Sequence, residues 1–187
     1  MKSKQIYLGG DLLKKGSQLL REQEKKELEA LGYNVYSPKD DKEINDKSNQ
    51  TEESNNGLAE KIVLKDTKGI IESDIIVIEP TNDALGTCVE LGQIKGMKDL
   101  ANIIISFENE YWCDDDIPFI LSDIINYCKA IANKKVYPHY EDIRRTDIPE
   151  CADRRSWSVN QYVYGVCLDL TNGKGFYEWD EIKEELE

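Results

Sequence analysis

Histidine is nearly missing from this chain of 187 residues, where His139 stands alone. That excludes the usual zinc frameworks of paired Cys and His. A Ser-His-Asp or Cys-His mechanism would need His139 as its one base. Cysteine pairing is missing too: Cys88, Cys113, Cys128, Cys151 and Cys167 are odd in number, widely spaced and form no C-x-x-C. The pattern points to reduced structural thiols in a cytoplasmic protein rather than to a disulfide scaffold. Positive charge is scarce, with 24 Lys and Arg against 37 Asp and Glu and a net charge of −13. Nucleic acid and anionic membrane surfaces need clustered cations, so neither is an expected partner. No apolar run approaches the ~18 residues of a membrane span. Met1 to Ile6 leads directly into a strand-like segment, without an apolar signal region. No repeat of ~20–50 residues is visible.

What is present fits one folded domain over residues 1–187, since hydrophobic residues make up 40% and charged residues 33%. A chain of this length buries a core without staples. Gln5-Ile-Tyr-Leu-Gly9 is short, apolar and followed by Gly10, as a buried first strand would be. From about Lys14 to Leu31, Leu19, Leu20, Leu28 and Leu31 sit among Lys, Glu and Gln in the manner of an exposed amphipathic helix, with Gly32 as its cap. Asn34-Val-Tyr36 reads as a second strand. Residues 39–57 are almost wholly polar and form a long loop, either a mobile lid or a disordered insertion. Leu58 to Lys68 reads as a helix and Ser73 to Ile78 as the clearest buried strand. Gly86 to Met97 is a helix, Asn102 to Ser106 another buried strand, Ile117 to Ala132 a helix, and Lys135 to Tyr140 a fifth strand.

This alternation argues for a parallel sheet with helices on both faces. The apolar runs Ile75–Ile78 and Ile103–Ile105 suit central strands buried on both sides. Residues 142–187 differ in character. They carry Arg144, Arg145, Arg154 and Arg155, then Trp157, Tyr162, Tyr164, Phe176, Tyr177 and Trp179. They read as a C-terminal extension whose aromatic residues enter the core or a subunit interface.

Ligands of open parallel sheets bind at the carboxyl ends of the strands. The most informative segment there is Glu79-Pro-Thr-Asn-Asp-Ala-Leu-Gly-Thr-Cys-Val-Glu-Leu-Gly92. Gly86-Thr87 opens a helix whose free N–H groups suit an anionic or hydroxyl-bearing ligand. Glu90 falls in its first turn, where the dipole favours the ionised carboxylate. It is either a nucleophile or a helix-capping acid. Asp66 and Asp74 form a second acidic group. A carboxyl pair suits glycosidic cleavage, one attacking the anomeric carbon and the other moving the proton. Asp74 reads better as a strand-start residue bonded to backbone, and Asp66 stays open between a solvated helix residue and a catalytic one. The run Asp114-Asp-Asp116 before Pro118 reads as a solvated helix start, so no metal is expected.

Three segments carry a resemblance: Ile6-Tyr-Leu-Gly-Gly10, Asp66 with Gly69-Ile-Ile-Glu-Ser-Asp-Ile-Ile-Val77, and Gly86-Thr-Cys-Val-Glu-Leu-Gly92. Together they resemble the nucleoside 2-deoxyribosyltransferase family. Lys135 to Arg144 and Val159-Asn-Gln-Tyr162 are similar to its later segments. The resemblance implies a doubly wound, Rossmann-like or flavodoxin-like sheet of five parallel strands with a C-terminal extension. It implies that Glu90 attacks C1′ of a deoxynucleoside, that Tyr7 orients Glu90, and that Asp66 handles the proton of the leaving base. Asp83 would bind sugar hydroxyls, with Gly9, Gly86 and Thr87 lining the substrate site. Asn160 would complete a neighbour's cleft in a homo-oligomer of two or more subunits. The partners implied are a deoxynucleoside and a nucleobase, with no cofactor. Rival readings are a deoxynucleotide N-hydrolase of the same superfamily, a phosphoribohydrolase with Asn82-Asp-Ala84 where P-G-G is required, and a nucleotide-sensing domain without turnover. Asp83 would repel a 5′-phosphate and so favours nucleosides.

Overall fold

The structure is a computed structural model that describes residues 4–42, 58–111, 119–142, 149–150, 154–155 and 161–187. Four parallel strands form the sheet in the order β2-β1-β3-β4. They are β1 (Gln5–Gly9), β2 (Asn34–Tyr36), β3 (Ile75–Ile78) and β4 (Lys135–Pro138). Their helices are α1 (Lys15–Ala30), α2 (Leu58–Glu72), α3 (Leu85–Tyr111), α4 (Phe119–Ala132), α5 (Gln161–Leu170) and α6 (Trp179–Leu186). A small antiparallel pair, β5 (Pro149–Glu150) and β6 (Arg154–Arg155), stands apart from the main sheet.

Side chains of β1, β3 and β4 alternate between the two faces, as the period of a strand requires. Ile6, Leu8, Ile75, Val77 and Tyr137 pack with Leu28 of α1 and with Ile182 and Leu186 of α6. Tyr7, Ile76, Ile78 and Val136 pack on the other face with Ile70 of α2, Leu91 and Ile94 of α3, and Val166 and Cys167 of α5. Helices therefore cover both faces, and β1 and β3 are buried through the middle. Phe176 and Tyr177 of the tail join this core: Tyr140 and Phe176 stack at 5.3 Å, and Tyr177 meets Tyr137 edge-on at 5.0 Å. Trp179 donates its indole N–H to Glu27 at 2.7 Å.

One expected strand is absent. Asn102 to Ser106 continues α3 as helix, so the sheet has four strands among the described residues rather than five. The reason is spacing: Ile94, Met97, Ala101, Ile104 and Ile105 recur at three and four residues. Ala101, with Met97, Ile104 and Ile105 around it, packs on Cys128 and Ile131 of α4. Ile103, which a central strand would bury, is 53% exposed. At the outer edge of β4, among the described residues, there is one bridge, His139 to Tyr177.

A buried ionic knot ties the carboxyl ends of the strands to α1. Arg21 donates to the Gly9 carbonyl at 3.2 Å, to Glu24 at 2.7 Å and to Glu79 at 2.9 Å. Glu79 in turn accepts the Glu141 N–H at 3.2 Å. His139 is fully buried beside it, 3.7 Å from Glu24. With one guanidinium facing two carboxylates in a dry site, burial raises Glu24 to about 8, Arg21 opposing and Glu79 adding to the rise.

Candidate active site

The chain leaves β1 outward to β2 and returns across it to β3, so strand direction of travel reverses at β1. Ligand crevices open at such a switch point, outside the carboxyl ends. Here a cavity of about 350 Å³ lies between the loop after β1 and the loop after β3. Gly9 to Leu13, Pro38, Ile62, Asp66, Asp83 to Thr87 and Glu90 line it. Gly9, Asp66, Asp83, Gly86, Thr87 and Glu90 thus line one cavity.

Glu90 points onto the end of β1. A Cβ at Gly9 would lie 3.0 Å from the Tyr7 ring and 3.2 Å from Glu90 Oε2, so a side chain there would press on the carboxyl and the ring by a few tenths of an ångström. The Tyr7 hydroxyl is buried and makes no hydrogen bond of good geometry. It faces Glu90 closely enough to hold that carboxyl down, yet burial outweighs it. Glu90 is raised to about 7, with Asp66 adding to the rise. The helix-dipole expectation is therefore overturned: α3 begins at Leu85, Glu90 lies in its second turn, and desolvation decides its ionisation.

Asp66 reaches the cavity from α2. Burial and the nearby Asp41 raise it to about 6, while the Tyr36 hydroxyl holds it down. Its Oδ1 is buried without a hydrogen-bond partner. Asp74 takes no part, because its Oδ2 accepts the Gln5 N–H at 3.0 Å, as a strand-start residue does. Thr87 is buried, and Gly86 is exposed with open space beside it. Asp83 stands at the rim, where it forms an ion pair with Lys14. Its charge is compensated, which the sequence reading missed, because nothing in local pattern brings Lys14 to a residue 69 positions away. Tyr36 was missed for the same reason. Asn160, Arg144, Arg145, Asp114 to Asp116 and most of the polar loop lie outside the described residues.

A roomier hollow of about 470 Å³ opens around the start of β4. Two of the lysines that line it are committed to carbonyls: Lys98 donates to Lys134 O at 2.8 Å, and Lys134 to Ile71 O at 2.9 Å. The raised carboxyls of Glu90 and Asp66 meet at the β1–β3 crevice instead. Among the described residues no group of three or more His, Cys, Asp or Glu could hold a metal ion. No helix there is long and apolar enough to cross a membrane.

The family model for nucleoside 2-deoxyribosyltransferase matches residues 6–146, three quarters of the chain and all of the crevice just described. The chain belongs to the nucleoside 2-deoxyribosyltransferase family. Solved structures agree on the fold. A conserved protein from Enterococcus faecalis V583 is similar at 20% identity and a TM-score of 0.60, over 98% of this chain and 97% of that one. A 2-deoxyribosyltransferase from Bacillus psychrosaccharolyticus is similar at 15% identity and a TM-score of 0.52, over 96% and 90%. No curated protein matches the chain. Glu90 of α3 and Asp66 of α2 line one cavity, and Tyr7 of β1 lies buried behind it against Glu90.

Proposed function

We propose that this protein is a nucleoside 2-deoxyribosyltransferase that passes 2-deoxyribose between nucleobases in nucleoside salvage. The observation that carries the reading is the convergence of two raised carboxyls, Glu90 and Asp66, from different helices on one cavity beside Gly9. An ionised Glu90 attacks C1′, the C1′–N bond breaks, and its electron pair goes to the base nitrogen. Asp66 supplies the proton to that nitrogen, and the sugar is left as an ester on Glu90. A second base attacks C1′ with its own nitrogen, gives its proton to Asp66, and releases Glu90. The partnerless Oδ1 of Asp66 suits a ligand proton. Tyr7 sets the carboxyl of Glu90, Gly9, Gly86 and Thr87 shape the sugar site, and Asp83 takes sugar hydroxyls at the rim.

Glu90→Ala tests this directly. Turnover of deoxyadenosine or thymidine with an acceptor base should fall by at least ~100-fold with the fold intact. The native protein should show a deoxyribosyl adduct on Glu90 by mass spectrometry. A smaller loss, or an adduct elsewhere, would falsify the assignment. A second reading, a deoxynucleotide N-hydrolase, is favoured by Lys14, whose ammonium stands at the rim beside Asp83. Preference for 5′-monophosphates with water as acceptor would establish it over transfer.

We further propose a homo-oligomer, with Asn160 completing a neighbour's cleft. One side of α3 supports it. Leu85, Val89, Leu100 and Ile103 are 73%, 72%, 60% and 53% exposed, and Gly92 and Gly96 lie open between them. Apolar residues flank a small-residue centre almost symmetrically about residue 94. A two-fold axis there sets the Leu85 end against the Ile103 end of a second copy, as isologous pairing requires. Leu85 also lines the cavity, so the second copy would cover its rim.

A further inference from the structure

Tyr36 ends β2 in a seat built more closely than a strand end requires. Its ring lies against the backbone of α2 at Gly69, where a Cβ would come within 2.6 Å of it. No other residue type leaves that space. The same ring stacks on Tyr7 at 5.8 Å and 18°. Its hydroxyl reaches the Lys65 carbonyl at 3.4 Å, long for an O–H donor, and lies beside Asp66. The order Gly69, Tyr36, Tyr7 therefore runs from the helix that carries Asp66 to the ring that faces Glu90.

We propose that Tyr36 is a positioning residue that holds Asp66 through its hydroxyl and Tyr7 through its ring, keeping acid and nucleophile in one arrangement. The proposal rests on the Glu90–Asp66 reading of the site. The hydroxyl has two acceptors within reach and one proton. While Asp66 is protonated, that proton rests on the Lys65 carbonyl. Once Asp66 has given its proton to the leaving base, the hydroxyl turns to the new carboxylate, where a charge-assisted bond is stronger. The interaction then grows along the reaction, which is the condition for it to raise kcat rather than lower KM.

Asp66 is faced by Tyr36 from β2, by Glu90 from α3 and Tyr7 from β1, and by Asp41 beyond the 3₁₀ turn Pro38–Asp40. Lys65, beside it on α2, pairs with Asp41 at 2.9 Å. Of these, Tyr36 favours the ionised form and Asp41 opposes it. Removing the phenol oxygen therefore moves Asp66 upward.

Tyr36→Phe keeps the ring and loses the hydroxyl. We expect kcat to fall ~10-fold with KM little changed, and the acid limb of the kcat profile, which follows the lower-titrating carboxyl, to move up. Carboxyl carbon NMR should show the Asp66 titration moving the same way without any turnover. Gly69→Ala, which displaces the ring, should lower kcat further and shift both limbs. An Asp66 titration identical in native protein and Tyr36→Phe overturns the proposal, whatever the activity. If the native protein cleaves no deoxynucleoside, the functional reading fails while the NMR titration still decides the role of Tyr36.

Discussion

At the residue scale, the chemistry rests on keeping a carboxyl pair partly protonated near neutrality. Glu90 near 7 and Asp66 near 6 repel one another in a half-dry cleft, so the pair titrates together; its single proton rests mostly on Glu90, and the fraction that carries it on Asp66 instead is the working one. The kcat/KM profile should be bell-shaped, with its maximum between about pH 6 and 7. Activity is lost on the acid side as the second proton binds, and on the alkaline side as the last one leaves. Asp66→Asn removes the proton donor, so the alkaline limb should vanish while an acid limb set by Glu90 alone remains. A pH series on both proteins checks this, and unchanged limbs in Asp66→Asn would remove Asp66 from the reaction. Gly9 belongs to the same argument: a methyl there displaces either Tyr7 or Glu90.

At the element scale, α3 does two things that its sequence read as separate elements. Its first turns carry Thr87 and Glu90 to the cleft, and its last turns pack on α4 through Ala101. Between them runs the exposed side from Leu85 to Ile103. Val89→Asp with Leu100→Asp should leave the fold intact, because both side chains are exposed, yet dissociate the oligomer. Light scattering would show the mass of a single chain, and activity should fall with it. Mixed Glu90→Ala and Asn160→Ala proteins should regain activity, and this recovery should disappear when the α3 substitutions are added. An unchanged mass would place the interface elsewhere.

At the scale of the whole molecule, the sheet is locked to α1 by a knot that carries more acid than base. Glu24 is raised from 4.5 to about 8 on folding, so the native state holds a proton that the unfolded state releases. Its contribution is fully present below about pH 4.5 and is lost as pH rises toward 8, at up to about 1.4 kcal/mol per pH unit. Glu90 and Asp66 act in the same direction over narrower windows. Urea midpoints should fall from pH 5 to pH 8, and Glu24→Gln should flatten that fall while still accepting from Arg21. Equal slopes in both proteins would show that Glu24 is not protonated in the knot.

The sequence by itself determined the elements whose signals are local. β1 and β2 span Gln5–Gly9 and Asn34–Tyr36 as their short segments indicate, β3 is buried because four consecutive apolar residues leave no wet face, and Asp66 and Glu90 lie on the helices flanking it. The family segments around Tyr7, Asp66 and Glu90 were legible because each is short and contiguous. The tertiary structure alone decided the rest. Asn102 to Ser106 is apolar in a way that fits a strand or a half-buried helix, and the surface of α4 chose helix. The ionisation of Glu90 follows from what covers it, since desolvation acts through neighbours distant in sequence and exceeds the dipole of its own helix. The pairing of Lys14 with Asp83 and the seat of Tyr36 on Gly69 join residues 69 and 33 positions apart. No local pattern encodes such contacts, because only the closure of the sheet brings those side chains within reach of each other.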